Sequence, residues 1–300
     1  MKLVLKTIRR FLGNVLGYIL FVLFGKKILL NKIDETKILS IYFHNPSVLV
    51  FEAIIKWFAK HDFNIIPIEK FQESFDKGKC NNVKTVFISF DDAWSGNLKL
   101  VPVLKKYNIP ITLFVPIKPI EDGQIWLNIV RKQFSKIEEG LKVGISINDI
   151  KEIPYFHGQE LYNSAVKMNT IKREIMTQQQ LLEFSKVVSI GSHTVTHPIL
   201  TNCTENIVKF ELDKSEAILS EWGLNTNKSF AYPNGSYNVT TIGALKESKY
   251  EYAFTTNPQF VDLTANENNY TIPRICIPDN LGKYENLARM STAWSKIFKN

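Results

Sequence analysis

The sequence is poor in cysteine: its 300 residues include only Cys80, Cys203 and Cys276, an odd number at distant positions. They form no metal-type pair and no disulfide framework, so they do not indicate a cellular compartment. Internal repeats and low-complexity tracts are also absent. The remaining composition, 45% apolar and 22% charged residues, is typical of a globular protein and excludes a disordered or collagen-like chain.

Long basic runs are missing as well, although Lys and Arg outnumber Asp and Glu by 37 to 29. Residues 1–37 contain eight basic and two acidic side chains, so they carry +6 of the net charge of +8. The rest of the chain is close to neutral, whereas a protein that binds nucleic acid needs a basic stripe or patch. The charge distribution therefore argues against nucleic acid as a partner.

An apolar run of fifteen residues, 11–25, follows the basic start and is interrupted only by Asn14. A membrane-spanning helix needs roughly 20 residues, and no small-residue cleavage site of a secretory signal follows the run. Three interpretations stay open: an uncleaved signal anchor, an interfacial helix on an anionic membrane surface, or a buried helix. We expect residues 1–37 to associate with a membrane, on a side that the basic flanks leave undecided because they occur at both ends.

From residue 38 onward, short β-branched or aromatic runs alternate with amphipathic helical patterns. The predicted strands are 38–43, 63–68, 83–90, 109–116, 187–192, 229–233, 252–256 and 271–277. The predicted helices between them are 50–61, 98–107, 204–222 and 239–249. This alternation predicts an α/β fold, and seven or eight repeats favour a closed barrel of parallel strands. We assign residues 38–285 to the barrel, 117–186 to a mostly helical insertion within it, and 286–300 to a C-terminal tail.

Two of the predicted strands end in polar side chains that suit a hydrolytic metal site. Asp91 and Asp92 follow one strand, and His193 and His197 follow another. Two imidazoles four residues apart and one carboxylate provide three ligands and leave positions for water and substrate, as in catalytic zinc sites. Neighbouring side chains of an extended segment point in opposite directions, so only one aspartate can face the metal and the other is free to act as a base. Each motif alone is weak evidence, and the pair together predicts a metal-dependent hydrolase.

Three motifs resemble, in order and spacing, those of the polysaccharide deacetylase family, the NodB-homology carbohydrate esterases. They are SFDDAW at 89–94, SHTVTHP at 192–198 and FAYPNG at 230–235. The likeness extends over residues 38–277, and the first two motifs are more specific than the third.

The resemblance implies a distorted (β/α) barrel of about seven strands and a site for one divalent metal ion. It implies Asp91 as the general base and Asp92, His193 and His197 as the metal ligands. Zinc is the expected metal, with cobalt, manganese and nickel as alternatives. The implied activity is removal of N-acetyl groups from the amino sugars of a glycan or its precursor in a bacterial-type cell envelope.

The sequence departs from the family pattern in two places. Ala231 stands where many members have an arginine that orients the catalytic aspartate, and we expect Arg274 to supply a cation instead. The late histidine that serves as general acid has no counterpart, because His197 is the last histidine of the chain. We expect His44, at the end of the first predicted strand, to take that role.

Further residues of the motifs are candidates for contacts with the substrate. Trp94 and Tyr232 are candidate pocket walls for a sugar, and the backbone N–H of Asn234 is a candidate donor to the oxyanion. Two alternatives stay open: a deformylase or deacetylase of a lipid-linked sugar at the membrane, and a catalytically silent glycan-binding protein with the same barrel. The near-neutral barrel suits an uncharged sugar amide.

Overall fold

A computed structural model describes residues 2–141, 151–167, 172–265 and 268–297. Its centre is a sheet in which the strands follow the runs predicted from the sequence. The strands are β1 Lys37–Phe43, β2 Asn64–Ile66, β3 Thr85–Asp91, β4 Thr112–Val115, β5 Ser189–Ser192, β6 Ser229–Ala231, β7 Tyr252–Phe254, β8 Val261–Asp262 and β9 Ile275–Cys276.

The sheet has the order β7-β6-β5-β4-β3-β1-β8, with β2 also paired to β3 and β9 also paired to β1. All of these pairs are parallel except that of β1 with the short β8, which the sequence did not predict. β3 lies at the centre and is buried along its whole length, which explains its continuous apolar sequence. The carboxyl ends of β1, β3, β4 and β5 therefore lie at one edge of the sheet.

A narrow seam at residues 272–276 links the two ends of the parallel array. Ile272 forms a parallel bridge to Phe254 of β7, and Ile275 pairs with Ile41 of β1. Pro273 has no N–H to donate, which accounts for the interruption of a run predicted as one continuous strand. The seam closes the predicted distorted barrel and places residue 274 between its first and last strands.

Helices cover the outside of the sheet. They are α1 Lys2–Leu20, α2 Lys26–Asn31, α3 Val48–Lys60, α4 Ile68–Lys77, α5 Val101–Tyr107, α6 Ile117–Asp122, α7 Trp126–Leu141, α8 Tyr155–Lys167, α9 Gln178–Phe184, α10 Glu205–Glu221, α11 Val239–Glu247, α12 Lys283–Met290 and α13 Ala293–Ile297. In α3 the predicted apolar stripe is buried, and Ser47 caps the first turn by accepting from the N–H of Val50.

The described part of the insertion is mostly helical, with α6, α7, α8 and α9, and Ile175 forms an antiparallel bridge to Trp94. Its residues 142–150 and 168–171 lie outside the described ranges. The indole of Trp126, the first residue of α7, donates to the backbone carbonyl of His197 over 2.8 Å. The insertion is thereby attached to the edge of the sheet where the predicted site residues lie.

The N-terminal helix continues from α1 through a π turn at Phe21–Gly25 into α2. One face of it packs on α12 through glycines, and a Cβ on Gly17 would overlap the Cα of Glu285. Asn14, the polar interruption of the apolar run, accepts a hydrogen bond from the N–H of Tyr284 over 2.9 Å.

This packing changes one predicted boundary. Residues 286–300 were expected to be a tail, but α12 spans that boundary and α13 follows it. Because α12 covers the glycine face of the N-terminal helix, the last described residues belong to the folded body.

Candidate active site

The candidate active site is a cavity of about 490 Å³ at the carboxyl ends of the strands. The predicted residues that line it are His44, Asp91, Asp92, Trp94, His193, His197, Tyr232 and Asn234. Asp91 ends β3, His193 follows β5, and His44 follows β1. The parallel pairing thus brings together residues that are far apart in the sequence, as the strand-end argument predicted.

Asp91 and Arg274 form a bidentate ion pair, with both nitrogen–oxygen distances at 2.8 Å. The arginine side chain is fully buried; it also donates to the Ser89 hydroxyl and to the Thr255 carbonyl. Its guanidinium lies 4.4 Å from the ring centroid of Tyr42, a cation–π contact. The carboxylate of Asp91 therefore has one fixed orientation, supplied by the residue that the sequence analysis proposed as the substitute cation.

Asp92, His193 and His197 form a compact cluster in which the potential ligand atoms all lie within 4.8 Å of one another. The Nε2 atoms of His197 and His193 lie 3.1 and 3.6 Å from Oδ1 of Asp92. Asp92 and His197 both have positive φ, 75° and 59°, a backbone conformation that non-glycine residues rarely adopt and that occurs often at functional sites. The positive φ of Asp92 lets its side chain face the histidines while the side chain of Asp91 faces Arg274.

The cluster fits a divalent metal ion. Nδ1 of His193 lies 2.7 Å from the carbonyl of Ala231, which acts as the acceptor and so leaves Nε2 free to ligate. Oδ1 of Asp92 is buried and has no hydrogen-bond partner among the described residues, as expected for an oxygen whose partner is an ion. Two imidazole nitrogens and one carboxylate oxygen are the donor set of catalytic zinc sites.

Ionisation of the cluster also suits a cation. Burial opposes the ionisation of Asp92, yet its interactions with His197, His44 and His193 outweigh this effect and hold the pKa of the carboxyl well below its ordinary value. Burial, followed by the charge of His197, lowers the pKa of His193 to about 4. A carboxylate and a neutral imidazole are the protonation states that bind metals.

Glu211 holds the loop that carries the two histidines, and the sequence analysis missed it. Its carboxylate is fully buried; it accepts from the backbone N–H groups of Val195 and Thr196 over 2.7 and 2.9 Å and from the Thr196 hydroxyl over 2.7 Å. The sequence did carry a signal, because Glu211 occupies the same helical stripe as the buried Val208 and Leu212 of α10.

The substrate-contact candidates differ in their surroundings. Trp94 lines the cavity, and its indole N–H donates to Oδ2 of Asp92 over 3.1 Å. His44 also reaches the cavity, with Nε2 at 3.9 Å from the same oxygen. Tyr232 lines the cavity, but its side chain is fully buried and its hydroxyl donates to the carbonyl of Tyr270. Contact of this ring with a sugar therefore stays a prediction.

Comparison with known proteins identifies the family. The family model described as polysaccharide deacetylase matches residues 78–253, more than half of the chain. The chain belongs to the polysaccharide deacetylase family.

Two relatives and two solved structures show how far this likeness extends. The poly-beta-1,6-N-acetyl-D-glucosamine N-deacetylases of Staphylococcus aureus (strain MSSA476) and Staphylococcus epidermidis are 28% and 25% identical over 232 residues, which are 77% of this chain and 67% of each relative. The Streptococcus pyogenes deacetylase PplD in complex with acetate has a TM-score of 0.62 at 19% identity, and the match covers 85% of this chain and 99% of that chain. IcaB from Ammonifex degensii has a TM-score of 0.52 at 18% identity and coverages of 86% and 97%.

These findings confirm the predicted family, the predicted distorted (β/α) barrel and the predicted enzyme class, a carbohydrate N-deacetylase acting on an amide bond. Metal dependence is typical of the family, in agreement with the donor set formed by Asp92, His193 and His197.

Proposed function

We propose that this deacetylase removes N-acetyl groups from poly-N-acetylglucosamine or a related glycan of a bacterial cell envelope, with Asp91 as the general base. The observation that carries the proposal is the fixed Asp91–Arg274 pair immediately beside the Asp92, His193 and His197 cluster. The activity of the staphylococcal relatives on poly-beta-1,6-N-acetyl-D-glucosamine supports this choice of sugar.

Asp92, His193 and His197 would hold the metal, and zinc is the metal that we propose for this donor set. When bound, a divalent ion supplies Lewis acidity, which polarises the amide carbonyl and makes a bound water more acidic. Asp91 accepts the proton of the attacking water, since Arg274 fixes its carboxylate at the cavity wall. The backbone N–H of Asn234, at the same wall, donates to the oxyanion that forms.

His44 is the proposed donor of a proton to the leaving amine. Its Nε2 lies 3.9 Å from Oδ2 of Asp92, whereas the two candidate ligand histidines lie next to Oδ1. Its side chain is partly exposed at the cavity, so a departing sugar can reach it. In His44→Ala we expect kcat to fall about a hundredfold while the bound metal is kept. Unchanged turnover across the pH range would remove His44 from the mechanism.

The ion pair between Asp91 and Arg274 also argues against a catalytically silent glycan-binding protein. A barrel that had lost catalysis would have no need to keep a buried guanidinium on the base, because burying an ion pair is expensive and rarely adds stability. Arg274 provides a cation where Ala231 cannot, and it reaches Asp91 from the seam at residues 272–276. The catalytic interpretation therefore accounts for a residue that the silent one leaves unexplained.

Acetate release tests the proposal. Wild type and Asp91→Asn would be loaded with zinc and assayed on β-1,6-linked N-acetylglucosamine oligomers and, as a second arm, on a lipid-linked N-acetyl sugar. We expect wild type to release acetate and Asp91→Asn to lose about 10²–10⁴ in kcat with its metal content unchanged. No release from either substrate by a wild type that binds one metal per chain would favour a silent binding protein.

We further propose that the N-terminal helix lies in an anionic membrane surface. Residues Thr7–Asn31 are long and apolar enough to cross a membrane by length and composition, with a mean hydropathy of 1.6. One face is already packed on α12, whereas nine large apolar side chains on the rest are exposed: Ile8, Phe11, Leu12, Val15, Tyr18, Ile19, Val22, Leu23 and Phe24. A helix that is docked along one side and apolar on the other fits the interfacial interpretation best.

Charge supports the same partner. Arg9 and Arg10 near one end and Lys26 and Lys27 at the other are all exposed, as expected for contact with anionic headgroups. Co-sedimentation of the full chain with neutral and anionic vesicles tests this. We expect binding to anionic vesicles that falls about tenfold or more when two exposed apolar groups are removed in Phe11→Ser/Leu23→Ser. Val239→Ser, on an equally apolar and exposed site of α11, is the matched control; an equal loss in both variants would contradict the proposal.

A further inference from the structure

Two basic side chains from the insertion face the same cavity as the candidate metal ligands. Arg131 lies on α7, and Lys151 begins the described segment that precedes α8. Leu127 and Asn128 lie four and three residues before Arg131 and line the cavity together with it, so one face of α7 forms this wall. The bond from Trp126 to the His197 carbonyl fixes the position of that face relative to the metal cluster.

Lys151 is held at the rim by its neighbours. Its backbone carbonyl accepts from the side-chain amide of Asn202 over 2.8 Å, and its ammonium donates to the side-chain oxygen of Asn234. Burial and then the charge of Arg131 lower the pKa of Lys151, and the charge of Glu152 offsets this only in part. The two cations therefore act on each other at the cavity, which is unfavourable unless something of opposite charge lies between them.

The carboxylates of the cavity do not neutralise these two cations. Asp91 is paired with Arg274, and Asp92 belongs to the histidine cluster. Asp279, the third acid that lines the cavity, faces the backbone N–H groups of Asn45 and His44. Within the described ranges, neither Arg131 nor Lys151 has a carboxylate at ion-pair distance. Lys132, the neighbour of Arg131 on α7, does have one, at 2.9 Å from Glu174.

We propose that Arg131 and Lys151 select an N-acetylated glycan with an anionic group next to the sugar whose amide is cleaved. This anionic group is either a phosphate diester or a carboxylate. An arginine fork and a lysine ammonium are the side chains that recognise such groups. An uncharged polymer would bring no anionic group to either of these two cations. This inference rests on the proposed function and narrows its substrate class, and it replaces the expectation of a purely uncharged substrate.

The test compares substrates that differ only in the charged group. N-acetylglucosamine oligomers would be offered unmodified, with a methyl phosphodiester, or with a carboxylate ether on the neighbouring sugar. The measured quantity is the ratio of kcat/KM for each charged oligomer to kcat/KM for the unmodified one. We expect a ratio of about ten or more for at least one of them in wild type at low salt, falling at higher salt because the cations are partly exposed.

Two variants test whether Arg131 and Lys151 cause the preference for a charged oligomer. In Arg131→Gln/Lys151→Gln the ratio is expected to fall close to one, and in Lys132→Gln, the matched control, to stay at the wild-type value. A wild-type ratio of one or less, or a ratio that the double variant keeps, overturns the inference. If no oligomer is hydrolysed, the proposed function fails instead. The inference is then decided by calorimetry, which compares the affinity of wild type and of the double variant for glucosamine with and without the phosphodiester.

Discussion

The mouth of the barrel buries charged side chains, whereas the N-terminal helix exposes large apolar ones. Arg274, Glu211 and Asp91 are almost completely buried at the mouth, and each has hydrogen-bond partners that fix its orientation. On the helix, Phe11 and Leu23 are 67% and 62% exposed. Both regions reverse the usual burial of apolar and exposure of charged groups.

The two regions differ in where the contact partners of their side chains come from. The polar groups of the mouth find their partners inside the fold, in the seam at residues 272–276, in α10 and at the strand ends. The exposed face of the helix has no such cover among the described residues, although its opposite face packs on α12. The buried charged groups of the mouth therefore indicate chemistry performed by residues of the chain itself. The exposed apolar face of the helix indicates a surface that a partner outside the chain covers.

The largest expected effect comes from breaking the ion pair at the mouth. Arg274→Gln leaves the buried Asp91 carboxylate without its cation, and removing one partner of a buried pair typically costs about 3–5 kcal/mol of unfolding free energy. We expect kcat to fall about a thousandfold as the base loses its fixed orientation. Arg274→Lys keeps the charge but not the two-pronged geometry, so its losses should be intermediate. Urea unfolding and acetate release measure both; a glutamine variant as stable and active as the lysine variant would contradict this account.

Removing the support of the histidine loop should have the next largest effect. Glu211→Ala leaves two backbone N–H groups and the Thr196 hydroxyl unpaired, at about 1–3 kcal/mol for each buried group left unsatisfied. Metal affinity is expected to fall about 10- to 100-fold, as it does when groups that orient ligands are lost. Asp213→Ala, two residues away on the exposed side of α10, is the control and should retain wild-type affinity. Equal affinities in all three proteins would exclude a positioning role for Glu211.

The addition of one methyl group tests how closely the N-terminal helix packs on α12. Gly17→Ala places a Cβ against the backbone of Glu285, and we expect a loss of about 1–3 kcal/mol in unfolding free energy from this overlap. Gly243 lies inside α11 with nothing within 4 Å of an added Cβ, so Gly243→Ala should gain about 0.5–1 kcal/mol from helix propensity. Thermal or urea unfolding of the two variants gives the comparison. If Gly17→Ala is as stable as Gly243→Ala, the N-terminal helix does not pack closely on α12.

The smallest effect is a change in pH dependence. Burial raises the pKa of Glu211 above its ordinary 4.5, although hydrogen bonds from Thr196 and Val195 oppose the rise. The unfolded chain therefore releases this proton at lower pH than the folded one, so the contribution of Glu211 to the unfolding free energy is full below about pH 4.5 and falls as pH rises through the folded pKa. Urea unfolding from pH 4 to pH 7 should show a shallower decline for Glu211→Gln than for wild type. Identical slopes would show that this carboxyl does not titrate in that range.

Much of this could be predicted from local sequence pattern. The strand runs and the helical stripes of α3 and α10 depend on neighbouring residues, and their bounds agree with the structure to within a few residues. Asp91, Asp92, His193 and His197 were found because they end strands whose carboxyl ends meet at one edge.

What could not be predicted depends on partners that are far apart in the chain. The sequence predicts Arg274 as a cation near the site, but not its bidentate pair with Asp91, which lies 183 residues away. The helical stripe of α10 can indicate that Glu211 is buried, but only the folded loop of Val195 and Thr196 shows what it binds. Tyr232 stood in a motif beside the site, but the direction of its ring depends on Tyr270.

The seam at residues 272–276 has a consequence for the order in which the enzyme becomes competent during synthesis. A nascent chain that has emerged as far as β7 already contains the candidate metal ligands and Asp91, but neither Arg274 nor α12. Until the seam and α12 emerge, Asp91 lacks the guanidinium of Arg274 and the glycine face of the N-terminal helix lacks the cover of α12. The C-terminal part of the chain thus completes both the candidate active site and the packing of the N-terminal helix.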